Sequence, residues 1–356
     1  MNNNYERLLS IILITKNRFE YINRLLAYYD FIKLKSPILI ADSTEFQKLN
    51  LDFNYYKIYK NLNISFYFRP NTKPENLQLE MLEKITTKYT ILFADDDIIL
   101  RNSIYKCVKF LEKNNDYIAA TGKIFGFTTE NDKAKKCRVN FMGEYKQNTI
   151  SANDGHFRLK NYLSKYWVNI FSIIRTECFT KTSQLSQCST SSAMKGEIIP
   201  CAGFALLGKT KKLEHIHMLR QFFLKTKHYH LKSVLEHSLV TSLWSQENEK
   251  LKKGFYSLLL NQNKKISFSK FSQYYNVSIY HFIKNEVLLY QVKFIFDYLF
   301  GKIFRKGKIK AIINIFIKIY KKIRIKYSKV EGNDNKSLFN CDAYKELQNY
   351  LGFLIK

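Results

Sequence analysis

Short apolar runs and amphipathic stretches alternate along the first 130 residues of the chain. The apolar runs predict buried strands over residues 8–15, 37–41, 64–68, 89–94 and 117–122. Apolar residues at helical spacing predict helices over residues 18–34, 74–85 and 102–111. Strands that alternate with helices in this way form a mostly parallel sheet joined by right-handed crossovers. The pattern therefore predicts an α/β fold of Rossmann type.

The pattern is less regular after residue 128. Apolar residues return at 167–174, and a short helix is predicted over residues 176–185. The serine-rich stretch 182–195 has few apolar residues, which is typical of a mobile loop. The apolar stretch 200–207 predicts a helix that continues into the His- and Lys-containing segment after it.

The C-terminal part of the chain is basic and has a mostly helical pattern. We expect a catalytic α/β domain over residues 1–220 and a helical, basic extension over residues 221–356. Residues 298–330 contain eleven Lys or Arg and no Asp or Glu, with an apolar stripe at helical spacing. A cationic amphipathic helix of this kind is suited to an anionic membrane surface. Packing of the stripe on the catalytic domain, or a role in oligomerisation, is the alternative.

The composition limits the class of protein. The chain has 356 residues, a mass of 42.3 kDa and 46% hydrophobic residues. It is too large for a single small binding module and too apolar for a disordered chain. The formal net charge of +28 favours anionic partners such as nucleotides, nucleic acid or lipid phosphates.

Cysteine usage and hydropathy favour a cytoplasmic protein. The six cysteines are scattered without a C-x-x-C motif, which predicts reduced thiols. The apolar run at residues 8–14 is flanked by Arg7 and Lys16 and lacks a small-residue cleavage site, so it predicts a strand and not a signal peptide. The sequence contains no uncharged apolar run of about 18–20 residues, the length that spans a bilayer. We expect a cytoplasmic protein, peripheral at the inner face of the cell membrane.

Three adjacent carboxylates, Asp95, Asp96 and Asp97, follow the predicted strand at residues 89–94. Ligands of open α/β sheets bind beyond the carboxyl ends of the strands. Adjacent like charges repel each other, and a bound cation relieves that repulsion. Carboxylate oxygens suit a hard divalent ion, Mg²⁺ or Mn²⁺. A solvated turn or a helix N-cap is the alternative interpretation.

Several segments together resemble a known enzyme family. They are LSIILITKNR at the start of the chain, ILIADS after the first predicted helix, TKYTILFADDDIIL further on, and a downstream acidic residue. This set is similar to the GT-A glycosyltransferases of the family-2 type. Its FADDD form resembles enzymes that build bacterial surface polysaccharides. The resemblance extends over about residues 8–220 and does not cover the C-terminal extension.

The resemblance implies a GT-A fold and transfer of a sugar from a nucleotide-sugar donor to a hydroxyl of a growing surface glycan, of capsule, O-antigen or lipooligosaccharide type. It also implies a Mn²⁺ or Mg²⁺ cofactor and inversion at the anomeric carbon. The donor-binding residues that it implies are Thr15, Arg18, Asp42, Asp95 and Asp96. The expected metal ligands are Asp97 and Asp95, with His217 completing the shell. The family usually carries a basic residue in the helix before the acidic strand, where this chain offers only Lys84.

Inverting transfer requires a base that deprotonates the acceptor hydroxyl. In the resembling enzymes this base lies in a short acidic motif about a hundred residues after the acidic cluster, where MKGEIIPCAGFALLG places Glu197. Glu197 lacks the usual acidic neighbour, so a structural or capping role is the alternative. Glu177 and Asp154 are rival bases. The serine-rich stretch before Glu197 is suited to a lid that excludes water.

Five histidines between residues 215 and 237 raise the question of a zinc site. They are His215, His217, His228, His230 and His237. No cysteine lies near them in the sequence and their surroundings are rich in Lys, which argues against zinc. A single histidine, His217 or His215, in the catalytic metal shell is the better interpretation. Candidates for contact with the donor diphosphate are Arg220, Lys209, Lys211 and Lys212, and a solvated basic face is the alternative.

Two other functions stay open. A nucleotidyltransferase can have the same fold, although no Gly-rich phosphate loop follows the apolar run at residues 8–14. A non-catalytic nucleic-acid-binding protein would account for the positive charge, although no aromatic stacking motif is present. We expect as partners a nucleotide-sugar donor, a glycan or lipid-linked acceptor and an anionic membrane surface, and no nucleic acid.

Overall fold

A mixed β-sheet with helices packed against it forms the centre of the chain. The computed structural model describes residues 4–45, 55–131, 137–222, 243–260 and 266–284. The basic stretch at residues 298–330 lies outside these ranges, as do His228, His230 and His237.

Nine strands form one sheet within the described residues. They are β1 Leu9–Thr15, β2 Ile38–Asp42, β3 Ile64–Phe68, β4 Tyr89–Ala94, β5 Ile98–Ile99, β6 Tyr117–Asn131, β7 Cys137–Tyr145, β8 Ile173–Arg175 and β9 Lys209–Gln221. The order is β3-β2-β1-β4-β8-β6-β9-β5, and β7 pairs with β6 outside this path. The pairs β1–β2, β1–β4, β2–β3 and β6–β9 are parallel. The short β8 inserts antiparallel between β4 and β6.

The described residues form eight α-helices, of which the first three and the fifth lie where the amphipathic pattern predicts them. They are α1 Phe19–Phe31, α2 Pro74–Glu83, α3 Arg101–Lys113, α4 Gly155–Ser164, α5 Thr176–Ser186, α6 Ile199–Leu207, α7 Leu243–Leu260 and α8 Phe268–Phe282. On α1 the residues at helical spacing, Ile22, Leu25, Leu26 and Tyr29, are buried. The predicted α/β class is confirmed.

The predicted continuation of α6 into the His- and Lys-containing segment is wrong. The helix ends at Leu207, and Lys209–Gln221 is strand β9, parallel to β6. Gly208 is extended and lies so close to β6 that a Cβ atom there would meet Ile118 at 2.3 Å. The close approach of the backbone at Gly208 allows the chain to leave the helix and enter the sheet directly.

The predicted mobile loop over the serine-rich stretch is also wrong. Its first residues belong to α5, which ends at Ser186. The next turn is held by the buried carboxylate of Glu247 on α7, which accepts hydrogen bonds from Ser189 Oγ at 3.0 Å, Thr190 Oγ1 at 2.8 Å and the Thr190 amide at 3.0 Å. This segment has few apolar residues because hydrogen bonds to Glu247 hold it in place. The sequence pattern alone does not distinguish such a segment from a mobile loop.

Helix α6 is buried along its whole length and organises the helices around it. The guanidinium of Arg158 on α4 donates to the carbonyls of Ala205 and Leu206, which end α6. A cation at this position also complements the helix dipole. Phe255 on α7 and Tyr275 on α8 are buried in the same core. Helices after residue 220 thus pack on the α/β unit, and the domain boundary near that residue stays a prediction.

The described helices include none that is both long enough and apolar enough to cross a membrane.

We predict that Glu247→Ala destabilises the fold by about 1–3 kcal/mol, because it leaves buried donors of Ser189 and Thr190 without their acceptor. The matched control is Glu249→Ala on the same helix, whose exposed carboxylate pairs with Lys252 at 2.5 Å. An exposed pair is worth about 0–1 kcal/mol. Urea unfolding of both variants measures the difference, and equal losses would contradict the anchoring role of Glu247.

Candidate active site

The carboxyl ends of β1 and β2 meet at one edge of the sheet. Thr15 and Asp42, the last residues of these strands, are paired in register. Beyond them the Ser43 amide donates to the Thr15 carbonyl at 3.0 Å, and the Arg69 amide donates to the Asp42 carbonyl at 2.8 Å. The segments that follow these strands are therefore joined to each other by backbone hydrogen bonds. Ligands of open α/β sheets bind at this edge.

The turn between β1 and α1 has a defined shape. Asn17 adopts a left-handed conformation with φ 56°, which asparagine tolerates better than most residues. Its amide donates to Thr44 Oγ1 at 2.8 Å, and the Thr44 amide donates to Asp42 Oδ1 at 2.8 Å. This chain of bonds places Arg18, the residue before α1, at the edge of the sheet.

The first two carboxylates of the acidic cluster are paired with Arg18. Asp95 Oδ1 lies 2.9 Å from one guanidinium nitrogen of Arg18, and Asp96 Oδ2 lies 2.6 Å from the other. Thr15 Oγ1 donates to Asp95 Oδ2 at 2.5 Å. The guanidinium also lies 4.6 Å from the centre of the Tyr21 ring. The structure thus brings together Thr15, Arg18, Asp95 and Asp96, as the sequence predicts.

The third carboxylate, Asp97, is paired with Arg220. Its Oδ2 accepts from Arg220 Nε at 3.1 Å. The Arg220 guanidinium is stacked 4.0 Å from the centre of the Phe171 ring and lies 5.2 Å from that of Tyr145. Strand β5 follows Asp97 directly and pairs antiparallel with β9, which brings Arg220 to this carboxylate.

The other basic candidates pair elsewhere. Lys209 lies 2.8 Å from Asp116, and Lys212 lies 2.6 Å from Glu144. Lys84, the residue that follows α2, lies 3.9 Å from Glu80. Of the basic residues proposed for the diphosphate, Arg220 is the one that the structure places at the acidic cluster.

Burial controls the charge of the acidic cluster. It raises the pKa of Asp95 from 3.8 to about 6, although Thr15 and Arg18 act in the opposite direction. Burial also raises the pKa of Asp97, against the effect of Arg220. Two arginines therefore do not fully compensate the ionised cluster, and a further cation would do so. Because carboxylate oxygens are ligands of Mg²⁺ and Mn²⁺, Asp95 and Asp97 fit such an ion.

Glu197 lies on an irregular turn before α6. Residues Met194–Ile198 form a π-helical turn that continues into α6. Pro200 has no amide hydrogen to donate to a carbonyl one turn earlier, which favours a local widening of the helix. The phenol of partly buried Tyr166 donates to Glu197 Oε1 at 2.5 Å. This bond holds one carboxylate oxygen of Glu197 in a fixed position.

Tyr145 at the end of β7 links Glu197 to the acidic cluster. Burial raises the pKa of the Tyr145 phenol, Arg220 lowers it, and the negative charges of Glu197 and Asp97 both raise it. Both carboxylates therefore act electrostatically on one phenol, so Tyr145 lies within range of Glu197 and of Asp97. The rival bases lie in other surroundings. Glu177 is exposed and pairs with Lys181 on α5, and Asp154 precedes α4.

The structure does not bring His217 together with Asp95 and Asp97. Its Nε2 lies 2.7 Å from the Phe171 carbonyl, and its Nδ1 lies 2.6 Å from Ser103 Oγ on α3. The ligand atoms that lie close to it among the described residues are those of His215 and Cys107. Distance along the sequence is therefore a wrong guide for His215 and His217, because α3 brings Cys107 to them on β9.

Sequence reasoning did not identify the aromatic residues of the site. Tyr145, Tyr166 and Phe171 contact Arg220 or Glu197. With 25 Tyr and 28 Phe in the chain, neither residue type marks a site by its presence. Only the pairing of strands and the fold of the segment before β8 bring these three rings together.

Comparison with known proteins assigns no family. No protein-family model matches the sequence, and no curated protein matches it. Similar solved structures include S. aureus TarS 1-349 in complex with UDP-GlcNAc, at 14% identity over 78% of this chain and 73% of that chain, with a TM-score of 0.49. The same fragment in complex with UDP matches at 15% identity over 73% of each chain, with a TM-score of 0.42. Likeness at these identities and scores assigns neither a family nor a ligand.

We predict that Asp95 makes the stability of the fold fall as the pH rises from about 4 to about 6. In this range the unfolded chain releases a proton that the folded chain keeps, because the pKa of Asp95 is about 6 when folded. Each unit of pKa difference lowers the free energy of unfolding by about 1.4 kcal/mol.

Urea unfolding between about pH 4 and about pH 7 tests this, with Asp95→Asn as the reference that cannot ionise. The stability of the wild-type chain relative to Asp95→Asn should fall with rising pH and then become constant above about pH 6. Parallel stability profiles for the two proteins would show that Asp95 ionises normally.

Proposed function

We propose that the chain is a GT-A glycosyltransferase that moves a sugar from a nucleotide-sugar donor to a hydroxyl of a growing surface glycan. The observation that carries the proposal is the pairing of Asp95 with Arg18 and of Asp97 with Arg220 at the carboxyl edge of the sheet, with Glu197 acting on the same Tyr145 phenol as Asp97. Two guanidiniums suit an anionic diphosphate, and a carboxylate nearby suits a base. The motifs that resemble family-2 enzymes lie at this edge.

Donor binding uses the residues that end the parallel strands. Asp42 and Thr15 are adjacent in register, and we assign the base or ribose to Asp42 and the nucleotide to Thr15 and Arg18. Asp95 and Asp96 already share the Arg18 guanidinium, so a bound diphosphate would compete with them for it. Donor binding is therefore expected to rearrange Arg18.

Transfer forms one bond and breaks one bond at the anomeric carbon. The acceptor hydroxyl oxygen attacks this carbon while its proton passes to the free oxygen of Glu197, and the bond to the diphosphate breaks with inversion. The nucleoside diphosphate leaves with the electron pair. Arg220, fixed between Phe171 and Tyr145, is placed to stabilise the negative charge that develops on the leaving group.

We assign Asp95 and Asp97 as the residues that would hold Mn²⁺ or Mg²⁺. When bound, the ion supplies positive charge to the diphosphate and favours its departure. The assignment rests on two buried carboxylates whose pKa values are raised by burial, so that a cation would favour their ionised forms. His217 takes no part in this assignment, because its ring nitrogens face Ser103 and the Phe171 carbonyl and not Asp95 or Asp97.

The proposed setting is the cytoplasmic face of the cell membrane, with a lipid-linked acceptor. This part of the proposal rests on the sequence of residues 298–330, which carry eleven basic and no acidic residues. Such a segment is attracted to anionic lipid by about 1 kcal/mol per basic residue near the surface.

We predict that Glu197→Gln lowers the rate of sugar transfer by roughly 10²–10⁴-fold, because the amide keeps the volume of the side chain but cannot take a proton. Donor affinity should change little. The measurement is turnover of the nucleotide-sugar that a thermal-shift panel of UDP-, GDP-, CDP- and dTDP-sugars identifies as a ligand. Glu177→Gln, on exposed α5, is the matched control and should keep wild-type turnover.

The variant Tyr166→Phe gives a second, independent test of Glu197 as the base. It removes the hydrogen bond to Glu197 Oε1, so the pH profile of kcat/KM should shift while the fold is kept. Wild-type turnover in Glu197→Gln would rule out this residue as the base.

We predict that Asp97→Asn removes the stabilisation that Mn²⁺ adds to a bound nucleotide-sugar in a thermal-shift experiment. For the wild-type chain, a nucleotide-sugar present with Mn²⁺ at a hundred times its Kd should stabilise the fold by about 2.7 kcal/mol in total. Asp116→Asn is the control, because Asp116 also pairs with a basic residue but lies away from the site. Metal-dependent stabilisation that persists in Asp97→Asn would remove Asp97 from the metal site.

A further inference from the structure

Cys107, His215 and His217 form a cluster behind the acidic residues, which we name the thiol–imidazole cluster. Their ligand atoms lie within 4.8 Å of one another. Cys107 and His217 are buried, and His215 is partly buried. The cysteine lies on α3 and the histidines on β9, so the cluster joins a helix to the strand that carries Arg220. Nothing in the proposed transfer reaction uses these three residues.

The separations of the ligand atoms are close to those around a tetrahedral metal ion. Cys107 Sγ lies 3.8 Å from His215 Nε2 and 4.0 Å from His217 Nδ1. Around zinc, a sulfur at about 2.3 Å and a nitrogen at about 2.0–2.1 Å are separated by roughly 3.6 Å in tetrahedral geometry. Movements of a few tenths of an ångström would therefore bring the sulfur to the tetrahedral distance from each nitrogen, and the two nitrogens lie within 4.8 Å of each other.

The hydrogen bonds of His217 orient it as a ligand. A carbonyl only accepts, so the Phe171 carbonyl at 2.7 Å fixes the proton on His217 Nε2 and leaves the lone pair on Nδ1. That lone pair faces Cys107 and Ser103. A backbone carbonyl that holds the outer nitrogen is the usual support of a metal-bound histidine. Burial also lowers the pKa of His217 to about 4 and that of His215 to about 3, so both rings are neutral near pH 7.

We propose that the thiol–imidazole cluster binds one zinc ion, with Cys107 Sγ, His215 Nε2 and His217 Nδ1 as ligands. Binding displaces the proton of the Cys107 thiol to solvent and forms a zinc–thiolate bond. The Ser103 hydroxyl lies 2.7 Å from His215 Nε2 and 2.6 Å from His217 Nδ1, and a rotation of this side chain opens the place of the ion. The fourth position then belongs to water. The ion fixes β9 against α3.

The test uses the full chain, purified without a histidine tag. Elemental analysis should find about one zinc per chain after dialysis. Replacement of zinc by Co²⁺ should give a near-ultraviolet band from thiolate-to-metal charge transfer, which oxygen ligands such as Asp95 and Asp97 cannot give. Cys107→Ser should lose this band. Cys178→Ser, on α5 and outside the cluster, is the matched control and should keep it.

A second pair of variants separates a zinc site from a cluster that is only hydrogen-bonded. Ser103→Ala should lower the melting temperature of chelator-treated protein, because it removes the hydroxyl that bonds to two ring nitrogens, and added zinc should restore stability. Partly buried His215→Gln should fold and lose the response to zinc. Wild-type protein with no bound zinc, no cobalt band and no change in melting temperature with zinc or chelator would overturn the proposal and leave a hydrogen-bonded cluster.

Discussion

The burial of three adjacent carboxylates at the end of β4 is the constraint on which the site depends. Asp95 and Asp97 are each 1% exposed, and Asp96 is 8% exposed. Ionised carboxylates at this depth need positive charge nearby, since the cost of removing a charge from water exceeds most single interactions in a fold. Arg18 and Arg220 supply that charge. The raised pKa values of Asp95 and Asp97 show that the compensation is incomplete.

The elements β1 to β4 and α1 to α3 are readable from local patterns, because each follows from residues within it. No local pattern predicts β5, β7 or α4, and β6 continues past the predicted end at residue 122 to Asn131. The runs at Ile64–Phe68 and Tyr89–Ala94 have the bounds that periodicity predicts. Strand β9 was missed because Lys209–Gln221 is polar and becomes a strand through pairing with β6. The serine-rich turn was misread because its anchor, Glu247, lies far along the chain. Both errors arise from long-range pairing.

The residues of the site likewise divide into those that local sequence patterns predict and those that only long-range contacts bring together. Thr15, Arg18 and the acidic residues follow predicted strands, and their meeting follows from parallel pairing alone. Arg220 could be proposed from its charge but not distinguished from Lys209 or Lys212 until each basic residue had a partner. The grouping of Cys107 with His215 and His217 has no sequence signal, because 108 residues separate the cysteine from His215.

Phe171 shows why these separate features belong to one arrangement. Its carbonyl accepts from His217, and its ring supports the Arg220 guanidinium at 4.0 Å. Phe171, which lies just before β8, therefore contacts both the thiol–imidazole cluster and Arg220, the residue that pairs with Asp97. Displacement of β9 relative to α3 would move His217 and Arg220 together, since both lie on that strand. The position of the Arg220 guanidinium at the acidic cluster thus depends on how firmly the contacts of His215 and His217 with α3 hold strand β9.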